Sequence, residues 1–220
     1  MALYIKYRPQ TFNDLIKQEH IVNILKPKIS QDDYAHSNFL FYGPRGTWKT
    51  SSARIFAKAI NCLNQQDGNP CNECENCLSI NAGKTLDVVE IDAASHTQVD
   101  NIREEILDKA SYPPAALKKK VYIIDEVHML SKNAFNALLK IMEEPPHYLV
   151  FILATTEIHK VPETIISRCQ VFTFKKVPVP DLLKHLQMIC EKEKIGYEEE
   201  ALTSIAKISY GCVRDAIKYV

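Results

Sequence analysis

The 220-residue sequence has no apolar run approaching the ~18–20 residues that span a bilayer, and no apolar signal-peptide core at its N-terminus. These absences argue against a helical membrane protein or a membrane partner, and they make the cytoplasm the expected location. An excess of one charge is missing too. The 27 Lys plus Arg balance 27 Asp plus Glu, so net charge supplies no footprint for nucleic acid. Any DNA contact has to come from a local surface or from assembly with other subunits. The one basic run, Lys118-Lys119-Lys120, precedes a strand pattern and reads as a solvated turn. Internal repeats and low-complexity tracts are also absent. What remains is an ordinary globular composition, 46% hydrophobic and 25% charged.

Apolar runs of strand length recur at Phe39–Tyr42, Val88–Ile91, Val121–Ile124, Leu149–Leu153 and Val171–Phe174. Helical patterns lie between them, at Lys49–Asn61, Gln98–Ala110, Asn133–Glu143 and near Glu163–Ile166. In the first, Ala53, Phe56, Ala57 and Ile60 fall on one face. Such alternation predicts an α/β fold, a five-stranded parallel sheet covered by helices on both sides. Pro178 and Pro180 mark the expected boundary between a nucleotide-binding domain, 1–177, and a small all-helical domain, 178–220. Helices are expected there at 181–194, 198–208 and 212–220. The last carries no stop signal before Val220, which implies a truncated chain with an incomplete second domain.

Residues 43–50 read Gly43-Pro44-Arg45-Gly46-Thr47-Trp48-Lys49-Thr50. This matches the phosphate-cradling pattern G-x-x-x-x-G-K-[ST] at every fixed position except the second glycine, where Trp48 stands. The loop follows a strand and opens a helix, so backbone N–H groups and the helix dipole would converge on phosphate. Lys49 would reach the outer phosphates and Thr50 would hold Mg²⁺. The run Val121-Tyr122-Ile123-Ile124-Asp125-Glu126 ends a second strand in two carboxylates. Asp125 would support Mg²⁺, and Glu126 would polarise a water as general base.

Four cysteines spaced Cys62-x8-Cys71-x2-Cys74-x2-Cys77 form a second constellation. Thiolates at such spacings suit tetrahedral Zn²⁺, and the Gly68-Asn69-Pro70 turn folds the chain back toward Cys62. A chain without a signal peptide disfavours the competing disulfide reading. No open coordination position with a nearby base is evident, so the zinc module, about 62–79, is expected to be structural. Cys169, Cys190 and Cys212 read as buried fillers. Thr155, in Leu153-Ala154-Thr155-Thr156, could sense a γ-phosphate or simply cap a helix. Arg168 and Arg214 stand out only by their placement relative to these motifs.

Taken together, the chain resembles the gamma/tau subunits of the bacterial DNA polymerase III clamp loader, within the AAA+ ATPases. The resemblance covers essentially all of the sequence. It rests on Tyr7-Arg8-Pro9-Gln10-Thr11-Phe12, Gln18-Glu19-His20, the loop at 43–50, the four cysteines and Glu90-Ile91-Asp92-Ala93-Ala94-Ser95. It continues through Asp125-Glu126-Val127-His128-Met129-Leu130, Phe135-Asn136-Ala137-Leu138-Leu139-Lys140, Glu143-Glu144-Pro145-Pro146, Ser167-Arg168-Cys169 and Arg214-Asp215-Ala216.

The resemblance implies that Lys49, Thr50 and Ser51 belong to Walker A, and Asp125 and Glu126 to Walker B. It makes Thr155 sensor 1 and Arg214 sensor 2, reaching ATP from the lid. Arg168 would act as an arginine finger on a neighbouring subunit's ATP, and Tyr7-Arg8-Pro9 would enclose the adenine. The implied partners are further gamma/tau copies, delta and delta-prime, the sliding clamp and primer–template DNA. Polymerase and helicase contacts would lie beyond residue 220. Two positions depart from the family pattern. Lys17 stands where the family has glycine before Gln18, and Trp48 stands in the phosphate loop. Trp48 leaves two expectations open, an ATP-driven motor subunit or an ATPase-silent, stator-like subunit of the delta-prime class. A Holliday-junction branch-migration helicase shares the AAA+ core but lacks a place for the cysteine insert.

Overall fold

The computed structural model of the chain describes residues 2–34, 37–95, 106 and 109–220. Five β-branched and aromatic segments form strands, because such side chains pack well on a pleated surface. These are β1 (Asn38–Tyr42), β2 (Val88–Asp92), β3 (Lys120–Asp125), β4 (Leu149–Thr155) and β5 (Gln170–Thr173). They pair in parallel in the order β2-β3-β4-β1-β5. Side-chain alternation divides the interior in two. Phe39, Phe41, Ile123 and Ile152 face one core, together with Ala53, Phe56 and Ile60. Leu40, Ile124, Phe151 and Leu153 face the other, against Phe135 and Leu138. Both faces are buried, which is why the strands read as nearly unbroken apolar runs.

Helices form over Lys49–Asn61, Lys132–Glu143 and Glu163–Ile166, and beyond Pro178 over Val179–Glu193, Glu199–Ile208 and Val213–Lys218. The last corrects the expectation of a helix unbroken to Val220. It closes at Lys218, where the Tyr219 N–H is shared between the Asp215 and Ala216 carbonyls. β5 stops one residue short of Phe174, whose N–H still donates to Tyr42 O at 2.7 Å. The helix expected at 98–110 falls largely outside the described residues. Three further helices, Leu3–Lys6, Glu19–Ser30 and Glu75–Asn81, were not expected from the sequence. Among the described residues, no helix is long and apolar enough to cross a membrane.

The register positions the site. Tyr42 pairs with Thr155, and Ile124 with Leu153, so the carboxyl ends of β1, β3 and β4 lie side by side. Ligands of open parallel sheets bind at this edge. The helices after Pro178 fold back onto the first core, where Leu182, Leu186, Ala206 and Ala216 join the cluster that contains Phe41 and Phe174.

Candidate nucleotide site and cysteine cluster

A cavity of about 360 Å³ opens at the carboxyl edge of the sheet. Of the residues expected at the site, Arg8, Arg45, Gly46, Trp48, Lys49, Thr50, Ser51, Asp125, Glu126 and Arg214 line it. Gly46 has φ +72°, and a Cβ there would stand 2.1 Å from Cys212 Sγ. Only glycine fits both the conformation and the space. The Gly46 carbonyl accepts the Val213 N–H at 3.2 Å, tying the loop to the last helix. Thr47 Oγ1 donates to Pro44 O at 2.7 Å, bracing the loop from within. Trp48 takes the left-handed conformation, φ 74°, that the missing glycine would favour. Its carbonyl accepts the Ser52 N–H at 2.8 Å and starts the helix. The indole is 7% exposed and packs into the first core, with Nε1 buried and lacking a partner.

Lys49 turns back on its own loop, donating to Gly43 O at 2.8 Å and Pro44 O at 2.9 Å. Burial holds its ammonium below the usual lysine range, against the pull of Asp125 and Glu126. Thr50 Oγ1 donates to Asp125 Oδ2 at 2.5 Å, so the hydroxyl and carboxylate that could share a divalent cation already touch. Glu126 sits beside them in a strained left-handed backbone position, φ 49°. Thr156 Oγ1 donates to Glu126 Oε2 at 3.1 Å, and His128 Nδ1 lies 3.5 Å from the same oxygen. Thr155 is fully buried and does not line the cavity. Its hydroxyl shares a 2.9 Å hydrogen bond with His128 Nδ1 and accepts the Glu157 N–H at 2.9 Å. His128 Nδ1 thus bonds the Thr155 hydroxyl and lies near the second carboxylate, while its Nε2 faces Glu157 Oε1 at 3.3 Å.

Arg8 Nε donates to Ser51 Oγ at 3.0 Å. Its guanidinium is drawn down to about 10, first by burial and then by Arg54 nearby, and stays charged at neutral pH. Tyr7 is placed differently from the expectation. Its hydroxyl donates to Glu193 Oε1 at 2.6 Å, and the cavity wall at that end is formed by Tyr4 and Ile5. Arg214 stacks over the Tyr4 ring at 5.6 Å. Arg54 and Glu90, joined in a two-pronged ion pair, also line the cavity. The sequence reading assigned neither a role. Arg54 follows Thr50 by one helical turn, which was the available signal.

Arg168 lies elsewhere. Asn38, at the start of β1, donates to the Arg168 carbonyl at 3.2 Å, whereas the phosphate loop leaves the other end of that strand. The Arg168 guanidinium bonds Glu143 Oε1 and Thr164 O, each at 2.8 Å, and lines an open concavity with Asn38, Glu144 and Ser167. It cannot serve the phosphate loop of its own chain.

The cysteine sulfurs of Cys62, Cys71, Cys74 and Cys77 all lie within 4.8 Å of one another. Cys62 to Cys74 and Cys71 to Cys77 are both 4.0 Å, near the ~3.8 Å edge of a tetrahedron with metal–sulfur bonds of ~2.3 Å. All are free thiols. Backbone N–H groups of Cys71 and Cys74 point at Cys62 Sγ and Cys71 Sγ at 3.3 Å, and that of Cys77 at Cys74 Sγ at 3.5 Å. Burial would raise the Cys74 thiol, but donors from Leu63 and Cys77 outweigh it and bring it to about 6. The donor set fits a tetrahedral Zn²⁺. Of the cysteines expected to be buried fillers, only Cys190 is fully buried; Cys169, its thiol pushed up to about 12 by burial, and Cys212, against Gly46, are half-buried.

Residues 17–178 match the family described as DNA polymerase III, delta subunit, and residues 181–218 match the DNA polymerase III clamp loader subunit, ATPase lid domain. The chain is 52% identical over 216 residues to DNA polymerase III subunit tau of Bacillus subtilis, covering 98% of this chain and 38% of the relative. It is 46% identical over 212 residues to subunit tau of Escherichia coli, covering 96% and 33% respectively. The chain therefore spans about a third of the length of these relatives. The RuvB Holliday junction branch migration motor of Thermotoga maritima superposes with a TM-score of 0.67 at 18% identity, over 96% of this chain and 63% of that one. A gamma-subunit-related protein of the same organism gives 0.55 at 23%, over 86% and 58%. These structural likenesses show a shared fold and nothing more. On the strength of the two family matches and of relatives that align over nearly all of this chain, it belongs to the gamma/tau family of bacterial DNA polymerase III clamp-loader subunits.

Proposed function

We propose that the chain is the ATPase portion of a clamp-loader subunit, in which ATP binding and hydrolysis drive loading of the sliding clamp onto primed DNA in the cytoplasm. The observation that carries this reading is the contact between Thr50 and Asp125 at the cavity, with Glu126 and Arg214 on its walls. A subunit that had abandoned nucleotide would have no reason to keep a hydroxyl, two carboxylates and a lid arginine converging there. When bound, Mg²⁺ would supply charge neutralisation at the phosphates. Thr50 and Asp125 would hold it. Lys49 would exchange its loop carbonyls for phosphate oxygens. Glu126 would orient and deprotonate the water, released or restrained through Thr156 and His128. Thr155 would hold the His128 ring in place rather than touch the ligand. The 1–177 unit carries these groups, and the 178–220 unit brings Arg214 to them. Arg168 would complete the site of an adjacent subunit, so assembly with gamma/tau copies, delta and delta-prime is part of the activity. A structural Zn²⁺ held by Cys62, Cys71, Cys74 and Cys77 would brace the fold.

One observation favours a second reading. The Trp48 indole is buried against the cavity and in the loop that must close on phosphate. That suits an ATPase-silent, stator-like subunit. Calorimetric titration of the chain and of a Trp48→Gly variant with Mg·ATP separates the two. Micromolar binding by the glycine form supports the motor reading. No binding by either form would favour the silent one.

A further inference from the structure

The helix Lys49–Asn61 starts at the phosphate loop and ends beside a cysteine of the metal cluster, and one buried lysine on it faces the cluster. Lys58 is 2% exposed. Its Nζ donates to Gln10 Oε1 at 2.9 Å, to Asn72 Oδ1 at 2.6 Å and, longer, to Gln10 O at 3.4 Å. These acceptors are all uncharged. A buried ammonium needs more than that to offset lost hydration. Acidic groups next door, Cys77 first and then Asp14, favour the charged form against burial, and Arg54 and Arg8 oppose it. A Zn²⁺ bound by four thiolates carries two net negative charges.

Lys58 also joins the cluster to the nucleotide cavity. Asn72, between Cys71 and Cys74, takes φ 62° and donates through Nδ2 to Gln10 O at 3.3 Å. Gln10 is therefore gripped from both sides, by Lys58 and by the cysteine loop. Gln10 Nε2 donates in turn to Arg8 O at 3.2 Å, across the rigid Pro9, and Arg8 Nε bonds Ser51 in the first turn of the helix that follows the phosphate loop. A second tie runs from Asn69 Oδ1, which accepts the Phe12 N–H at 2.9 Å. The segment bearing Arg8 is thus held on two sides, by the cysteine module behind Gln10 and by the terminal helices ahead of Arg8, where Tyr7 bonds Glu193 and Arg214 stacks over Tyr4. Outer-shell groups of this kind commonly tune a metal site about 10–100-fold, and the traffic can run both ways.

We infer that the cysteine module is one of the two seats of Arg8, with Lys58 as the positioning residue, so that metal loading adjusts how tightly the neighbouring cavity holds nucleotide. This rests on the ATP reading above for its ligand, but not for its mechanics. The metal does no chemistry here. It fixes the Cys71–Cys77 loop, the loop and Lys58 fix Gln10, and Gln10 fixes Arg8.

The test uses Lys58→Met, which keeps the buried stem and all four sulfurs. Its first readout needs no nucleotide. Trp48 is the only tryptophan and lines the same cavity as Arg8, so acrylamide quenching of its emission reports whether the wall over it has loosened. Lys58→Met with full zinc content and an intact melting transition should raise the quenching constant at least twofold, and Gln10→Ala should match it. The second readout is Mg·ATP affinity in the Trp48→Gly chain, expected to weaken about tenfold on adding Lys58→Met, and not further when Arg8→Met is already present. Removal of zinc by a chelator should move both readouts the same way. Unchanged quenching and unchanged affinity in Lys58→Met would overturn the inference. So would an affinity loss that persists in full without Arg8. If no form binds ATP yet quenching rises, the functional reading fails and the seat survives.

Discussion

At residue 48 several opposing effects nearly cancel. A left-handed tryptophan costs roughly 1–2 kcal/mol, and an unpartnered buried indole N–H costs about 1–3 kcal/mol. Against these, burying most of the indole contributes about 2–3 kcal/mol. Replacement by glycine should therefore shift unfolding stability by less than about 2 kcal/mol in chemical denaturation, while nucleotide binding appears or tightens. A large destabilisation would mean that the indole is a core residue first and a loop residue second. His185 gives a pH prediction at the same scale. Burial, then Lys192, brings its imidazole down to about 4. The unfolded chain takes up that proton near pH 6.5 and the folded one only near 4, so stability is present above 6.5 and drains away as pH falls between them. A His185→Gln chain should lose less stability than the parent between pH 7 and pH 5. Denaturant midpoints at the two values check it. Equal losses would mean that the imidazole is hydrated in the folded state.

At the scale of elements, ends and crossings matter most. Lys194 caps the helix Val179–Glu193 in the left-handed conformation, φ 56°, where glycine is the usual occupant. Lys194→Gly should add about 1 kcal/mol, or roughly 2–4 °C in melting temperature for a chain of this size. Gly46→Ala should do the opposite, since the new methyl would strike Cys212 Sγ. Adding Cys212→Ala should return part of the loss, the φ penalty remaining, and a double variant no better than Gly46→Ala would refute the crossing as the cause. These elements were unequally legible in the sequence. Strands such as Leu149–Thr155 announced themselves because both faces are buried, and the phosphate loop, the Asp125-Glu126 end and the four cysteines because each packs its chemistry into a short span. The Arg54–Glu90 pair, Gln10 on Lys58 and the diversion of Tyr7 to Glu193 were not legible, because each joins residues far apart in sequence that only the fold brings together. The helix Glu19–Ser30 was missed for a local reason, as it contains Pro27.

Across the whole molecule, the sheet parts two cores, yet the first core does not stop at Pro178. Leu182 and Leu186 are fully buried in the cluster that holds Phe41 and Phe174. The two units should consequently melt together. Leu186→Ala should shift a single calorimetric transition by about 3 kcal/mol, and a separate early peak would show that the terminal helices fold on their own. Reaching across this junction is the amide of Val213, bonded to the Gly46 carbonyl. Its proton can trade with solvent only when helix and loop part company, so one deuterium clock at one amide would count every such parting. Whatever settles in the loop and holds it against the helix would slow that clock.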